Sequence, residues 1–483
     1  MINQLSESTL LKILKAIVVL TVLARCLAII YSPLELSADE AQYWLWSNHL
    51  SWGYFSKPPL IAWLIAFSNL VLGVSEFSIR ILAPIFHGLT AILIFYLAKE
   101  VSNKNHLTQF FSALTWITLP IIGVGSFLMS TDTPLMLLWT IGLLTIFNAY
   151  KDERNSSWFF SGLISGISIY AKYAAFYMPL GLLLFYFVAY KKNKKIKFIH
   201  LLIFFSSFLL VSIPNLIWNM FNNFSTINHL SSNAVIDTPS YSLSGSLDFI
   251  ISQVGVIGPI MFIVSILSIW NIFKLKTDFG LLIWFVLPVF IIMAIQGFFS
   301  EANANWSATA LPGLSIICGH YLAKSFKVAL FAIFTNSLIC LLIYLISLTG
   351  NLIFFELKSD PLRKLKGWQA LSQDILENTS KEKSDIILVD RRGIAAELLY
   401  YLRDKNLKIR VPNNFKSANN HYELNYSFDE KESAKFYYIT ETNTLPVKMK
   451  ENYKIEKISI SKTKISNNKH RILHFYFIEK EML

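Results

Sequence analysis

The sequence predicts a polytopic α-helical membrane protein of about eleven spans that ends in a small soluble α/β domain. Of 483 residues, 54% are apolar and only 15% charged, whereas an ordinary soluble domain has roughly a quarter of its residues charged. Mean hydropathy is positive, and apolar runs of about 18 or more residues recur through the first ~350 positions, each long enough to cross a ~30 Å hydrocarbon core. Beyond about residue 351 the composition turns soluble, with strand-like and amphipathic stretches in alternation.

The first run, 11–31, follows basic residues as a signal peptide does, but it lacks a small-residue cleavage site and its apolar part is too long, so it reads as a retained span. The expected spans are 11–32, 77–98, 107–127, 132–150, 157–171, 174–190, 198–218, 247–273, 279–297, 306–323 and 327–349, with boundaries uncertain by several residues. With the N-terminus in the cytoplasm, the inner loops read "KEVSNK", "KDER", "KKNKKIK", "KLK" and "KSFK". The loop over 219–248 has no lysine or arginine, and neither has "QGFFSEANAN" at 296–305. The positive-inside rule then puts those loops, the first loop (33–76) and everything after about residue 350 on the outer side. The formal charge of +12 therefore sets topology and does not point to nucleic acid. Cys26, Cys318 and Cys340 fall inside spans, where small buried hydrophobes are expected and no disulfide or metal framework is.

The tail holds "DIILVD" (385–390), "RRGIAAELLYYLRD" (391–404) and "LKIRVP" (407–412), then strand-like "KFYYIT", "YKIEKISI" and "RILHFYFIE". Strand, amphipathic helix and strand in that order predict an α/β domain. No glycine-rich phosphate loop opens its helix. The expected division is a membrane catalytic domain at 1–350 and an outer, periplasmic domain at 351–483.

The first outer loop is the unusual part. "ADEAQYWLWSNHL" suits a short helix lying in the membrane interface. Pro58 and Pro59 then stop any helix and press Lys57 into an extended conformation, and "LIAWLIAFSNLVLG" is marginal as a span. Charged groups beside a low-dielectric boundary are functional candidates. Asp39 and Glu40 read equally as helix-capping carboxylates, and Lys57 as a snorkelling anchor. Lys172 interrupts an apolar run, where a lysine costs roughly 3 kcal/mol at a span's centre and far less at an outer turn. Asp132, ahead of Pro134, reads as a cap or a site residue. Glu301, Asn303, Asn305 and Trp306 sit at a span's outer mouth, where they can contact a sugar or anchor the interface.

"ADEAQYW", "GYFSKPPLIAWL", "STDTPLMLLW", "KYAAFYMPL" and "EANANWSATALP", in this order, resemble the polyprenyl-phosphate-sugar transferases of the glycosyltransferase C fold. That group includes protein O-mannosyltransferases and bacterial enzymes that add aminoarabinose or galacturonic acid to lipid A, and the "KPP" and "ANW" elements and the tail's "AAELLYYL" are most like the lipid A branch. The resemblance covers most of the chain, with strong motifs only in the first outer loop. It implies an inverting transferase at the outer face of a bacterial inner membrane, with a polyprenyl-phosphate sugar as donor, lipid A or another glycolipid as acceptor, and no cofactor. By the same resemblance Asp39 is the general base, assisted by Glu40, while Lys57, Lys172 and Arg80 meet the donor phosphate and Tyr54, Asp132, Glu301, Asn305 and Trp306 contact substrate. Related enzymes often carry an acidic residue before the "KPP" lysine, where it helps form a metal site in the aminoarabinose transferases. Here that residue is Ser56, which argues against a metal, and the spacing of His49, His87 and His229 resembles no metal site. A protein acceptor, a flippase for a lipid-linked saccharide and a non-enzymatic membrane partner are the competing readings. The clustering of unusual polar residues at the outer loops favours chemistry at one face over transport.

Overall fold

The computed structural model describes residues 4–193, 196–234, 241–272, 278–351, 360–379, 383–413, 418–443, 445, 453–466 and 469–480. The basic loop "KLK", Lys194 and Lys195, and residues 235–240 of the long loop expected on the outer side lie outside them. The chain begins with α1 (Glu7–Tyr31), then α2 (Ala38–Ser47), α3 (Leu60–Leu72) and α4 (Glu76–Arg80) of the first loop. The bundle continues through α5 (Leu82–Val101), α6 (His106–Thr118), α7 (Pro120–Gly125), α8 (Asp132–Asp152), α9 (Asn155–Ile167), α10 (Tyr177–Asn193) and α11 (Phe198–Phe221). It ends with α12 (Ser225–Ala234), α13 (Leu243–Ile257), α14 (Pro259–Ile272), α15 (Leu287–Phe299), α16 (Leu311–Leu322) and α17 (Phe326–Thr349).

Helix lies at every expected span, but among the described residues six helices are long and apolar enough to cross a membrane by themselves, seven if a bent pair counts as one. The count of eleven is therefore not established. The bent pair is α13 and α14, which meet at 111° where one span over 247–273 was expected. Gly258 stands between them at φ +93°, and Pro259 follows. A residue ahead of proline disfavours the α region, and glycine alone takes this φ without strain, so the helix breaks there.

The tail contains α18 (Trp368–Asn378), β1 (Ile386–Val389), α19 (Arg392–Tyr401), β2 (Lys408–Arg410), α20 (His421–Asn425), β3 (Lys435–Thr440), β4 (Tyr453–Ser466) and β5 (Lys469–Lys480). Its five strands form one mixed sheet in the order β2-β1-β3-β5-β4. β1 is parallel to β2 and β3, and the last two strands pair antiparallel. Each stretch named from the sequence occupies its expected element.

The membrane helices share one apolar core. A second core joins the first loop to the tail: Leu36, Trp44, Trp46 and Ile61 pack in one cluster with Leu371, Ile394, Leu398 and Phe475. Trp44 meets the edge of Tyr400 at 5.0 Å. The Tyr401 hydroxyl donates to Glu76 at 2.6 Å and accepts from the Leu36 amide at 3.0 Å. Glu35 accepts from the backbone of Trp368 and Gln369 at the start of α18. The first loop and the tail therefore lie on one face of the molecule.

Candidate active site

The two adjacent carboxylates of "ADEA" divide their work through helix geometry. Ser37 caps α2, its hydroxyl accepting from the Glu40 amide while the Glu40 carboxylate accepts from the Ser37 amide at 3.0 Å, a reciprocal capping box. That bond turns Glu40 back into the protein, where it is 1% exposed. Asp39, one residue earlier and about 100° round the helix, is left facing open space with no hydrogen bond or ion pair among the described residues.

Glu40 and Arg80 are each other's partners. Arg80 Nε and Nη2 reach the two Glu40 oxygens at 2.8 and 2.9 Å, and the guanidinium also donates to the Leu34 and Glu35 carbonyls. The Met129 amide adds a third donor residue to this carboxylate. Arg80 is itself 1% exposed. It anchors α2, and neither Arg80 nor Glu40 is among the residues that line the cavities described below. Tyr54 is likewise held by protein partners. Its ring stacks on Trp46 at 4.7 Å, and its hydroxyl lies 3.0 Å from the carbonyls of Trp46 and His49. Burial pushes that phenol up to about 12. The sequence could not show these partners, because Glu40 and Arg80 are forty positions apart.

Lys57 is held where the loop touches α11 and α12. Trp52 O accepts from Asn215 Nδ2 at 2.7 Å and Tyr54 O from the Thr226 hydroxyl at 2.7 Å. A Cβ on Gly53 would stand 2.4 Å from the Trp218 ring, so only glycine permits this approach. The Lys57 ammonium has no hydrogen bond or ion pair among the described residues. Burial, then the charge of Lys172, hold its pKa below the ordinary lysine value. Lys172 follows a short 3₁₀ turn in extended backbone and forms an ion pair with Asp132 at 2.7 Å. Asn305 Nδ2 donates to the other Asp132 oxygen at 3.1 Å. Asp132 therefore lies in the first turn of α8, whose N-cap is Thr131, and is held between Lys172 and Asn305 instead of capping the helix.

Three cavities adjoin one another across shared lining residues. The central one, about 550 Å³, is lined by Asp39, Lys57, His229, Glu301, Trp306 and Arg392 among others. A second, about 390 Å³, shares Lys57 and Trp306 and adds Lys172, Tyr173, Phe176, Tyr177, Leu230 and Met293, a largely apolar wall. A third, about 520 Å³, opens on the other side of Asp39 between α2 and the tail, and shares Asp39, Gln42 and Arg392 with the central one. Arg391 and Arg392 were missed from sequence, although "RRG" stands directly ahead of an amphipathic helix. Among the described residues, no three or more His, Cys, Asp or Glu side chains are grouped to hold a metal ion. Ser56 lines the central cavity where a carboxylate would be wanted, so the residues present do not fit the metal site of the aminoarabinose transferases.

The family model described as dolichyl-phosphate-mannose-protein mannosyltransferase matches residues 56–218. The lipid A galacturonosyltransferase of Rhizobium johnstonii is 27% identical over 418 residues, covering 85% of this chain and 87% of that enzyme. The undecaprenyl phosphate-α-4-amino-4-deoxy-L-arabinose arabinosyl transferase of Pectobacterium atrosepticum is 30% identical over 171 residues, 34% of this chain and 30% of its own length. In three dimensions, the crystal structure of ArnT from Cupriavidus metallidurans in the apo state superposes with a TM-score of 0.70 at 12% identity, covering 98% of each chain. A first-loop carboxylate and a lysine, both unpaired among the described residues, line one cavity, and the fold and the sequence relatives agree with that chemistry, so the chain is a multi-pass membrane glycosyltransferase with the glycosyltransferase C fold.

Proposed function

We propose that the chain moves a sugar from a polyprenyl phosphate to a hydroxyl or phosphate of lipid A, at the periplasmic face of a bacterial inner membrane. The observation that carries this reading is the unpartnered pair Asp39 and Lys57 in one cavity, joined to an apolar cavity that holds Lys172. Similarity to the Rhizobium galacturonosyltransferase along 85% of the chain supports lipid A as acceptor. The Cupriavidus ArnT has also been solved bound to undecaprenyl phosphate, and the chain superposes on that structure with a TM-score of 0.67.

The chemistry follows from the groups present. The donor's isoprenoid end lies along Tyr173, Phe176, Tyr177 and Leu230, and its phosphate faces Lys57 and Lys172. A phosphate monoester leaves as a stable anion, so the site needs positive charge and no general acid. Glycoside hydrolases, which expel an alcohol, use two carboxylates. Asp39 takes the proton of the acceptor oxygen as it attacks the anomeric carbon from the face opposite the phosphate, with inversion. Trp306 borders both cavities and offers the sugar a flat apolar wall.

The test is mass spectrometry of lipid A and polyprenyl-phosphate sugars from wild-type cells and from a deletion strain complemented with the native chain or Asp39→Asn. The expected result is loss of one sugar mass from lipid A, build-up of its carrier form, and a rate about 10²- to 10⁴-fold down in Asp39→Asn. Full rescue by well-expressed Asp39→Asn would sink the base assignment. Unchanged lipid A together with a lost sugar on a periplasmic protein would move the acceptor to protein.

A further inference from the structure

The tail contributes a charged side chain that the donor chemistry does not use. Arg392 is exposed at the start of α19 and has no hydrogen bond or ion pair among the described residues. Its neighbour Arg391 differs, since it pairs with Glu441 and is thereby fixed. Arg392 lines the central cavity with Asp39 and Lys57, and lines the outer cavity with Asp39 and Lys364. It does not line the apolar cavity where Lys57 meets Lys172. The cavities therefore follow one another from the one with Lys172 and Lys57, through the central one, to the one between α2 and the tail, and Asp39 and Arg392 both stand on the wall shared by the last two.

If the donor phosphate faces the two lysines, its leaving direction is fixed, and the attacking oxygen must arrive on Asp39's other side. Whatever delivers that oxygen passes Arg392. An unpaired guanidinium there is matched by an anionic oxygen group, which it can bind bidentately. Burial foremost, then Lys172 at Lys57 and Lys57 at His229, hold these two groups below their ordinary values, and Arg392 adds to both in the same direction.

We propose that the cavity between α2 and the tail is the acceptor site, and that Arg392 is its specificity-determining residue, gripping a phosphate or carboxylate that the acceptor carries beside its nucleophilic oxygen. This rests on the transferase reading above. The test uses the full chain in nanodiscs and three probes: lipid A carrying both phosphates, lipid A with its phosphates removed, and polyprenyl phosphate. Binding of each is measured for wild type, Arg392→Ala and Arg392→Lys, with thermal midpoints as a fold control. The expected result is that Arg392→Ala weakens binding of phosphorylated lipid A by about tenfold or more. Binding of dephosphorylated lipid A and of polyprenyl phosphate stays unchanged, and Arg392→Lys recovers part of the loss. Equal weakening of both lipid A forms, weakening of polyprenyl phosphate instead, or no change would overturn the proposal. Sugar transfer by the wild type is scored separately. If transfer is absent while the phosphate-dependent difference in binding persists, the transferase reading fails and the anion site stands.

Discussion

At the scale of single residues, the site depends on which charges are left without a partner. Glu40 and Arg80 neutralise each other in a place 1% exposed, so removing one leaves the other's charge buried alone. Glu40→Gln or Arg80→Met is expected to cost about 3–5 kcal/mol, read as a fall in the thermal midpoint of purified protein, with the double variant losing less than the sum. A stable Arg80→Met that lost only donor affinity would restore the phosphate role implied by the resemblance. Lys57 makes a different prediction. Burial and Lys172 lower its pKa, so the ammonium is lost at a pH below that of an ordinary lysine, and transfer falls on the alkaline side as it is lost. Lys57→Arg, charged at every accessible pH, is expected to move that limb of the pH–rate profile upward. Asp39, Lys57, Lys172, Asp132, Asn305 and Trp306 stood out in the sequence as charged or polar groups beside apolar runs, and the fold gathers them in or beside the neighbouring cavities. Glu40, Arg80 and Tyr54 stood out for the same reason, but their partners are set by folding and only distance in space reveals them.

At the scale of elements, long spans were legible from hydropathy, and their breaks were not. The α13–α14 bend needs both Gly258 and Pro259, and the apolar run continues through it unchanged. The helix α19 shows a second effect that composition hides. Glu397 lies fully buried on it, against α2, with neither carboxyl oxygen partnered among the described residues. Burial, reinforced by Glu40, pushes its pKa well above the ordinary carboxyl value. A raised carboxyl contributes fully when both folded and unfolded forms are protonated, and that contribution is lost as pH rises from the ordinary value toward the raised one. Docking of α19 on α2 is therefore expected to loosen from acid toward neutral pH, and Glu397→Gln to remove this slope. Hydrogen exchange across α19 as a function of pH measures it. An identical slope in Glu397→Gln would assign the effect to another group.

At the scale of the whole molecule, the tail is less separate than its composition implies. The change near residue 351 is plain in the sequence, and the strand and helix order was read correctly, but nothing in it says that the tail shares a core with residues 36–65. A chain ending at Asn351 is expected to insert its helices, leave the first loop exposed to protease between α2 and α3, and transfer no sugar. Full activity in a folded truncated chain would refute that coupling. The shared core also imposes an order on assembly. The Trp368 amide that holds Glu35 lies 333 residues later, so α2 leaves the ribosome long before its partner exists. Early helices can settle in the bilayer while the first loop waits unfinished, and the last strands complete the core it shares with the tail. A chain that stops short of them is therefore expected to leave that loop without its support, with sugar transfer starting only once synthesis is complete.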